Sequence, residues 1–196
     1  MATSSDYAWV ESSPFGVAYC LTMVEGLTPH EMFDRLDVLE REDLTGLEAL
    51  AERAYGMHDG RRQYTGMRNV GDWGLMLEIN GFVGVNDPAR TTLSRGTQLV
   101  SHYRNVNAVS RFVWMGDGEL WLEFDPLFPS TRRGTKAAEV AETLRDTGFD
   151  FEDFDSHGHD PRGAAFRLAE RLTGVALSED LLDRSEYLCG FVPYPR

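Results

Sequence analysis

Between Phe15 and Val24 nearly every position is apolar, and the run is short. That pattern suits a central strand buried on both faces, with a helix starting at Ser13-Pro14 as the competing reading. The period then changes. Thr28 is placed to cap a helix, Pro29 fits its first position, Glu31 completes a capping box, and Leu27 and Met32 stand at the staple positions. A helix from about Pro29 to Leu36 is predicted, burying Met32, Phe33 and Leu36. Thr45 and Glu48 repeat the capping-box spacing before a second apolar stripe, Leu47, Leu50, Ala51 and Ala54, which Gly56 ends. From Met57 to Val70 the chain is polar, carries Arg61, Arg62 and Arg68, and reads as a loop.

Alternation with a period of two dominates the middle of the chain. Trp73 to Val85 reads as a hairpin turning at Asn80-Gly81, a pair that supplies the positive φ angles of a type I′ turn. Leu75, Leu77 and Ile79 then share one face, and Met76 and Glu78 the other. A short helix begins at Asp87-Pro88 and ends near Gly96. A strand over Thr97 to Arg104 and a polar corner at Asn105-Val106-Asn107 follow. A second hairpin turns at Asp117-Gly118. A two-residue loop sets Trp114 opposite Trp121 and Phe112 opposite Glu123. Val113, Met115, Leu120, Leu122 and Phe124 then form a core face, and Phe112, Trp114, Trp121 and Glu123 the other. Helices are predicted over Thr135 to Thr147 and over Pro161 to Thr173, the second stopped by Gly174. Ser178 caps a last short one. Tyr187 to Val192 is a final strand or a docked tail.

Antiparallel hairpins with clustered helices define the α+β class. The expected architecture is an antiparallel sheet of about five to six strands with helices packed mainly on one face, in a single domain over residues 1–196. The Gly-rich strand-to-helix turn of a dinucleotide-binding fold is absent from the sequence.

Charge narrows the partners. Thirty-two acidic against nineteen basic residues give a net −13 and a pI near 4.7. Such a balance repels phosphate backbones and anionic membrane surfaces, so neither nucleic acid nor a membrane is expected as partner. No apolar run approaches the ~20 residues that span a bilayer, and the first residues lack the basic and apolar segments of a signal peptide. Cys20 and Cys189 lie in apolar surroundings, which suits free thiols in a reducing cytoplasm. Lys136 is the only lysine beside eighteen arginines, a bias typical of a GC-rich genome.

Candidate chemistry is sparse. Asp153, Asp155, His157, His159 and Asp160 alternate acids with imidazoles that could ligate a divalent ion. The spacing matches no established metal site, and an acidic solvated loop accounts for the same letters. Neither HExxH, CxxC nor a G-x-S-x-G elbow occurs. Glu78 and Glu123 would serve acid–base work if they met across the sheet; an ion pair with Arg104 or Arg111 is the plainer outcome. Phe112, Trp114 and Trp121 form either core beneath a helix or an exposed patch with the composition of an interface hot spot.

Several segments resemble an uncharacterised, Streptomyces-type actinobacterial family of unknown function: Ala18 to Pro29, Val70 to Phe82, Leu93 to Gly96, Tyr103 to Asn107 with Ser110 to Phe112, and Ala169 to Val175. The resemblance spans most of the chain and implies one domain and a bacterial origin, but no activity. The expected function is a noncatalytic protein-interaction module without a cofactor, an immunity-type or regulatory partner protein that binds another protein through the sheet face or through the corners at Asn80 and Asn105. The alternative is a metal-dependent or small-molecule-binding enzyme, centred on His157 and His159 or on a pocket near Trp73, Glu78 and Arg111.

Overall fold

The structure, a computed structural model, describes residues 4–57, 60–151 and 160–194. A 3-10 turn at Ser4–Tyr7 and the short α1 (Trp9–Ser12) lead into β1 (Tyr19–Glu25). The predicted Thr28 capping box is present and starts α2 (Pro29–Arg35). There follow β2 (Leu39–Thr45), α3 (Leu47–Gly56), β3 (Arg62–Val70), β4 (Trp73–Ile79) and α4 (Asp87–Leu93). The second half holds β5 (Gln98–Arg104), β6 (Ser110–Gly116), β7 (Glu119–Phe124), α5 (Ala141–Asp146), α6 (Pro161–Thr173), α7 (Glu179–Asp183) and β8 (Glu186–Pro193). Gly174 closes α6 in the left-handed conformation, φ 73°, as a C-cap glycine does.

All eight strands join one antiparallel sheet in the order β2-β8-β3-β4-β1-β5-β6-β7. The expectation of five to six strands falls short because β2 and β3 do not look like strands. Leu39-Glu-Arg-Glu-Asp-Leu-Thr45 is an edge strand, largely exposed, with a bulge between Leu39 and Glu42 and a positive φ at Glu40. Charges and a bulge on an edge deter further strand pairing. The supposed loop at Met57 to Val70 holds β3, an interior strand. Its polar Gln63 and Thr65 are buried because their side chains donate to the carbonyls of Tyr64, Ile79 and Leu77. Thr45 ends β2 instead of capping α3, whose N-cap is Gly46 at φ 90°.

The predicted hairpin at Asn80-Gly81 does not form. β4 turns back on β3 through Gly71-Asp72, which brings Val70 opposite Trp73. Beyond Ile79 the chain leaves the sheet and makes a 3-10 turn at Val83–Val85. The Asp117-Gly118 hairpin does form, with φ 49° and 76°. Its first pairs are Gly116 with Glu119 and Met115 with Leu120. The register then shifts, and Trp114 pairs with Leu122, Val113 with Glu123 and Phe112 with Phe124. Trp121 is therefore the extra residue of a β-bulge, and one inserted residue flips every later side chain to the opposite face. Leu122 and Phe124 join Phe112 and Trp114, while Glu123 joins Val113. The Trp121 ring lies against Gly116, where any Cβ would collide with it.

Beyond β7 the backbone of Arg133 exchanges two hydrogen bonds with Glu123, and Thr135 and Lys136 donate to the carbonyls of Leu120 and Trp121. This strap covers the second sheet edge. It also shortens the helix predicted over Thr135 to Thr147, because residues bound to β7 are not free to wind, and α5 begins only at Ala141. The greater sheet face packs Tyr19, Leu21, Leu75, Leu77 and Phe112 against α1, α3, α5, α6 and α7. The lesser face packs Cys20, Met76, Leu99 and Val113 against α2, α4 and the Val83–Val85 turn. Truncating the fully buried Phe112 in Phe112→Ala should cost ~3–5 kcal/mol in urea unfolding, whereas Val109→Ala at an exposed corner should stay within ~0.5 kcal/mol.

Candidate functional site

Polar chemistry inside the sheet is concentrated at three places. The first is Glu78, on the lesser face of β4 and wholly buried. Its carboxylate accepts backbone N–H groups from Val83 at 2.8 Å and Gly84 at 2.9 Å. Cys20 stands directly across on β1. Beside it, Thr22 and Ser101 share a hydrogen bond of 2.8 Å, and the Cys20 thiol lies 3.4 Å from the Ser101 hydroxyl. Burial pushes the Glu78 carboxyl up to about 7, against the pull of the Gly84 and Val83 N–H groups. Burial, with the nearby Glu78, also raises the Cys20 thiol well above its usual value, which suppresses the thiolate. The turn fits this closely only because position 84 is glycine: a Cβ there would overlap the Thr22 hydroxyl.

Glu123 forms the second place, at the far end of the same face. Its Oε2 accepts from Arg90 at 2.9 Å and Arg133 at 3.0 Å, and Arg111 Nε lies 3.4 Å from Oε1. Arg90 and Glu123 are both buried, and Arg90 also pairs with Asp87. Removing one partner of such a buried pair leaves an uncompensated charge, which is why several arginines serve one carboxylate. Glu78 and Glu123 do share a face, but β1, β5 and β6 separate β4 from β7, roughly 19 Å at ~4.8 Å per strand. They form no acid–base pair. The expected arginine partner is correct for Glu123 and Arg111, while Glu78 is held by backbone instead.

The third place is on the greater face beneath α6. Ser110 Oγ donates to the Tyr103 carbonyl at 2.8 Å, so it accepts from His102 Nε2 at 3.1 Å. His102 Nδ1 is left to accept from the Tyr19 hydroxyl at 3.2 Å. Burial, helped by Arg104 and Arg162, lowers the His102 pKa to about 3, and burial raises that of Tyr19. The imidazole is a neutral link in a closed chain, stacked edge-on against Phe166.

Trp114 and Trp121 meet on the greater face near the strapped edge, ring centroids 5.0 Å apart in a T-shape, both half-buried. The lone lysine lies over them, Lys136 Nζ standing 3.1 Å from the Trp121 centroid and 4.6 Å from that of Trp114. Trp114 Nε1 donates to Gln98 at 3.3 Å. Of the predicted site residues, Trp114 and Trp121 come together, with Phe112 in the core beside them. Trp73 is core on the greater face, five residues and one face away from Glu78. Arg111 lies in the same cross-strand row as Glu78, which runs through Cys20 and Tyr103. Trp73 thus lies on the opposite face from Glu78 and Arg111, and the three do not line one site. His157, His159 and Asp155 lie outside the described residues. No motif in the sequence marks Arg90, Ser101, His102 or Lys136 as site residues. Glu78 carried a usable signal, since a strand apolar on both faces leaves its one acid no water. Arg90 carried none.

The fold and these sites define an α+β protein built on one antiparallel sheet, with its ionisable interior groups bonded from within. Across residues 1–196 the chain matches the model of a family of unknown function, DUF6461, and it belongs to that family. No curated protein and no solved structure matches it. Among the described residues no helix is long and apolar enough to cross a membrane.

Stability should show the buried acid and the buried imidazole pulling in opposite directions. Glu78 has a folded pKa near 7 above the ordinary 4.5, so its contribution is full below pH 4.5 and is lost as pH rises through 7. His102 is depressed to about 3 from 6.5, so its contribution is full above pH 6.5 and is lost as pH falls towards 3. Between pH 4.5 and 6.5 the two slopes oppose, each worth ~1.4 kcal/mol per pH unit. Glu78→Gln should expose the His102 slope: relative to wild type, its stability in urea titrations should fall by about that amount per unit of acidification. Parallel pH curves would refute the assignment.

Proposed function

We propose that this protein is a noncatalytic interaction module, an immunity-type or regulatory partner protein, which binds another protein through the Trp114–Trp121 surface. The observation that carries the reading is the half-buried tryptophan pair itself. Its rings are held in place by the bulge, by Gln98 and by Lys136, so little side-chain freedom remains to be lost on association. Tryptophan anchors set in a partly desolvated surface are the usual centres of interface energy. The interior polar groups support the same reading, because Glu78, Glu123 and the Tyr19–His102–Ser110 chain spend their hydrogen bonds on the fold. A net charge of −13 favours a basic partner surface. A reducing cytoplasm is supported by two buried free thiols, Cys20 and Cys189, which face opposite sides of the sheet. The arginine bias supports an actinobacterial source.

The test is purification of the native complex, followed by reconstitution of the recovered partner at defined stoichiometry. Trp121→Ala should weaken that reconstituted complex by ~2 kcal/mol or more, about thirtyfold in Kd. Tyr55→Ala, an exposed aromatic on α3, should leave it unchanged. Equal affinity for wild type and a folded Trp121→Ala would remove the tryptophan surface from the interface.

A further inference from the structure

A cleft of about 410 Å³ opens on the lesser face, where β5 and β6 meet the segment joining β4 to α4. It lies on the opposite side of the sheet from the tryptophan pair. Phe82, Val85 and Pro88 form one wall; Tyr103 and Arg111, paired across β5 and β6, form the other. This volume falls within the range of small-molecule sites, and the mixture of apolar walls with a few convergent polar groups is their usual composition.

Three side chains on this cleft keep polar atoms without a hydrogen bond among the described residues. Arg111 is about half exposed and touches Glu123 only through Nε at 3.4 Å, a distance too long for a good hydrogen bond. Arg90 and Arg133 both donate to Glu123 Oε2, and the long Arg111 contact falls on Oε1. Three guanidinium groups thus surround two carboxylates, Glu123 and Asp87, so the cluster keeps one net positive charge, and Arg111 carries it to the cleft. The Tyr103 hydroxyl and the Asn86 carboxamide, both lining the same cleft, form no hydrogen bond among the described residues. A planar guanidinium with free terminal nitrogens matches a carboxylate in bidentate geometry. A hydroxyl and a carboxamide match a further polar substituent, and the Phe82 and Tyr103 rings match a flat apolar body.

We propose that this cleft binds a small aromatic monocarboxylate. A monoanion is favoured over a dianion such as phosphate because Asp87 lines the cleft and the chain carries a net −13, so a second negative charge meets repulsion, and among the described residues Arg111 alone is cationic in the lining. This site is independent of the protein-docking reading and stands or falls separately.

The experiment is an amide chemical-shift titration of the whole protein with benzoate. Inorganic phosphate serves as the probe of charge alone, and benzylamine, a cation at neutral pH, as the same ring with the opposite charge. Saturable shifts centred on Asn86, Tyr103 and Arg111 with benzoate, and none with benzylamine, are expected. Arg111→Gln should weaken benzoate by about tenfold or more, as loss of a charged hydrogen-bond donor does, while Tyr55→Ala, on the exposed surface of α3, should not change it. Should Arg111→Gln fail to fold, Asn86→Ala in the irregular connection reads the same site, with weakened benzoate binding expected. Equal affinity in either folded variant, benzylamine binding as well as benzoate, or phosphate displacing benzoate at lower concentration would overturn the assignment.

Discussion

The lesser face of the sheet depends on how one buried acid is satisfied. Glu78 lies in the middle of the sheet, where water does not reach, and a carboxylate there must collect donors or remain protonated. The nearest donors available after Ile79 are those of its own chain. The backbone therefore leaves the sheet, folds over the carboxylate and presents the N–H groups of Val83 and Gly84. That turn roofs Cys20, Thr22 and Ser101, places Phe82 and Val85 as the wall of a cleft, and aims α4 so that Arg90 reaches Glu123. A single acid near the sheet centre thus sets the position of the charge cluster at its end.

The two faces hold their polar groups in different electrical states. On the greater face the Tyr19–His102–Ser110 chain is uncharged, and it ties β1, β5 and β6 to one another without a net charge to desolvate. On the lesser face Arg90, Arg111 and Arg133 surround Glu123, and Asp87 and Arg111 line the open cleft. The tryptophan pair and the cleft both belong to the β5–β7 half but open on opposite sides, so one sheet can offer two surfaces of distinct chemistry.

Much of the local structure was legible from the residues. The Thr28–Glu31 box, the Gly174 stop, the Ser178 cap and the tight turn at Asp117-Gly118 appear where the pattern put them. Each depends on hydrogen bonds or φ angles settled within four or five residues. The apolar run expected as a strand from Phe15, by contrast, joins the sheet only at Tyr19, residues 15–18 forming a turn. Of the site residues, the Trp114–Trp121 encounter was legible too, although it arises by a different route. Both rings reach the same face because Trp121 bulges out of register, not because it sits squarely opposite Trp114.

The sequence by itself determined the α+β class, the caps at Thr28 and Ser178 and the turn at Asp117-Gly118, because those are settled by neighbouring residues. Tertiary structure decided that a polar, glycine-bearing stretch becomes the interior strand β3, that Asn80-Gly81 opens into a roof and not a hairpin, and that Glu123 faces Arg90 instead of Trp114. In each case the deciding partner is supplied by a distant part of the chain. Thr65 and Gln63 can be buried only because β4 offers carbonyls, and the bulge is accommodated where Gly116 and the strap at Arg133–Lys136 receive it. Register and buried hydrogen bonding are pairwise properties, and a residue's own letter does not name its partner.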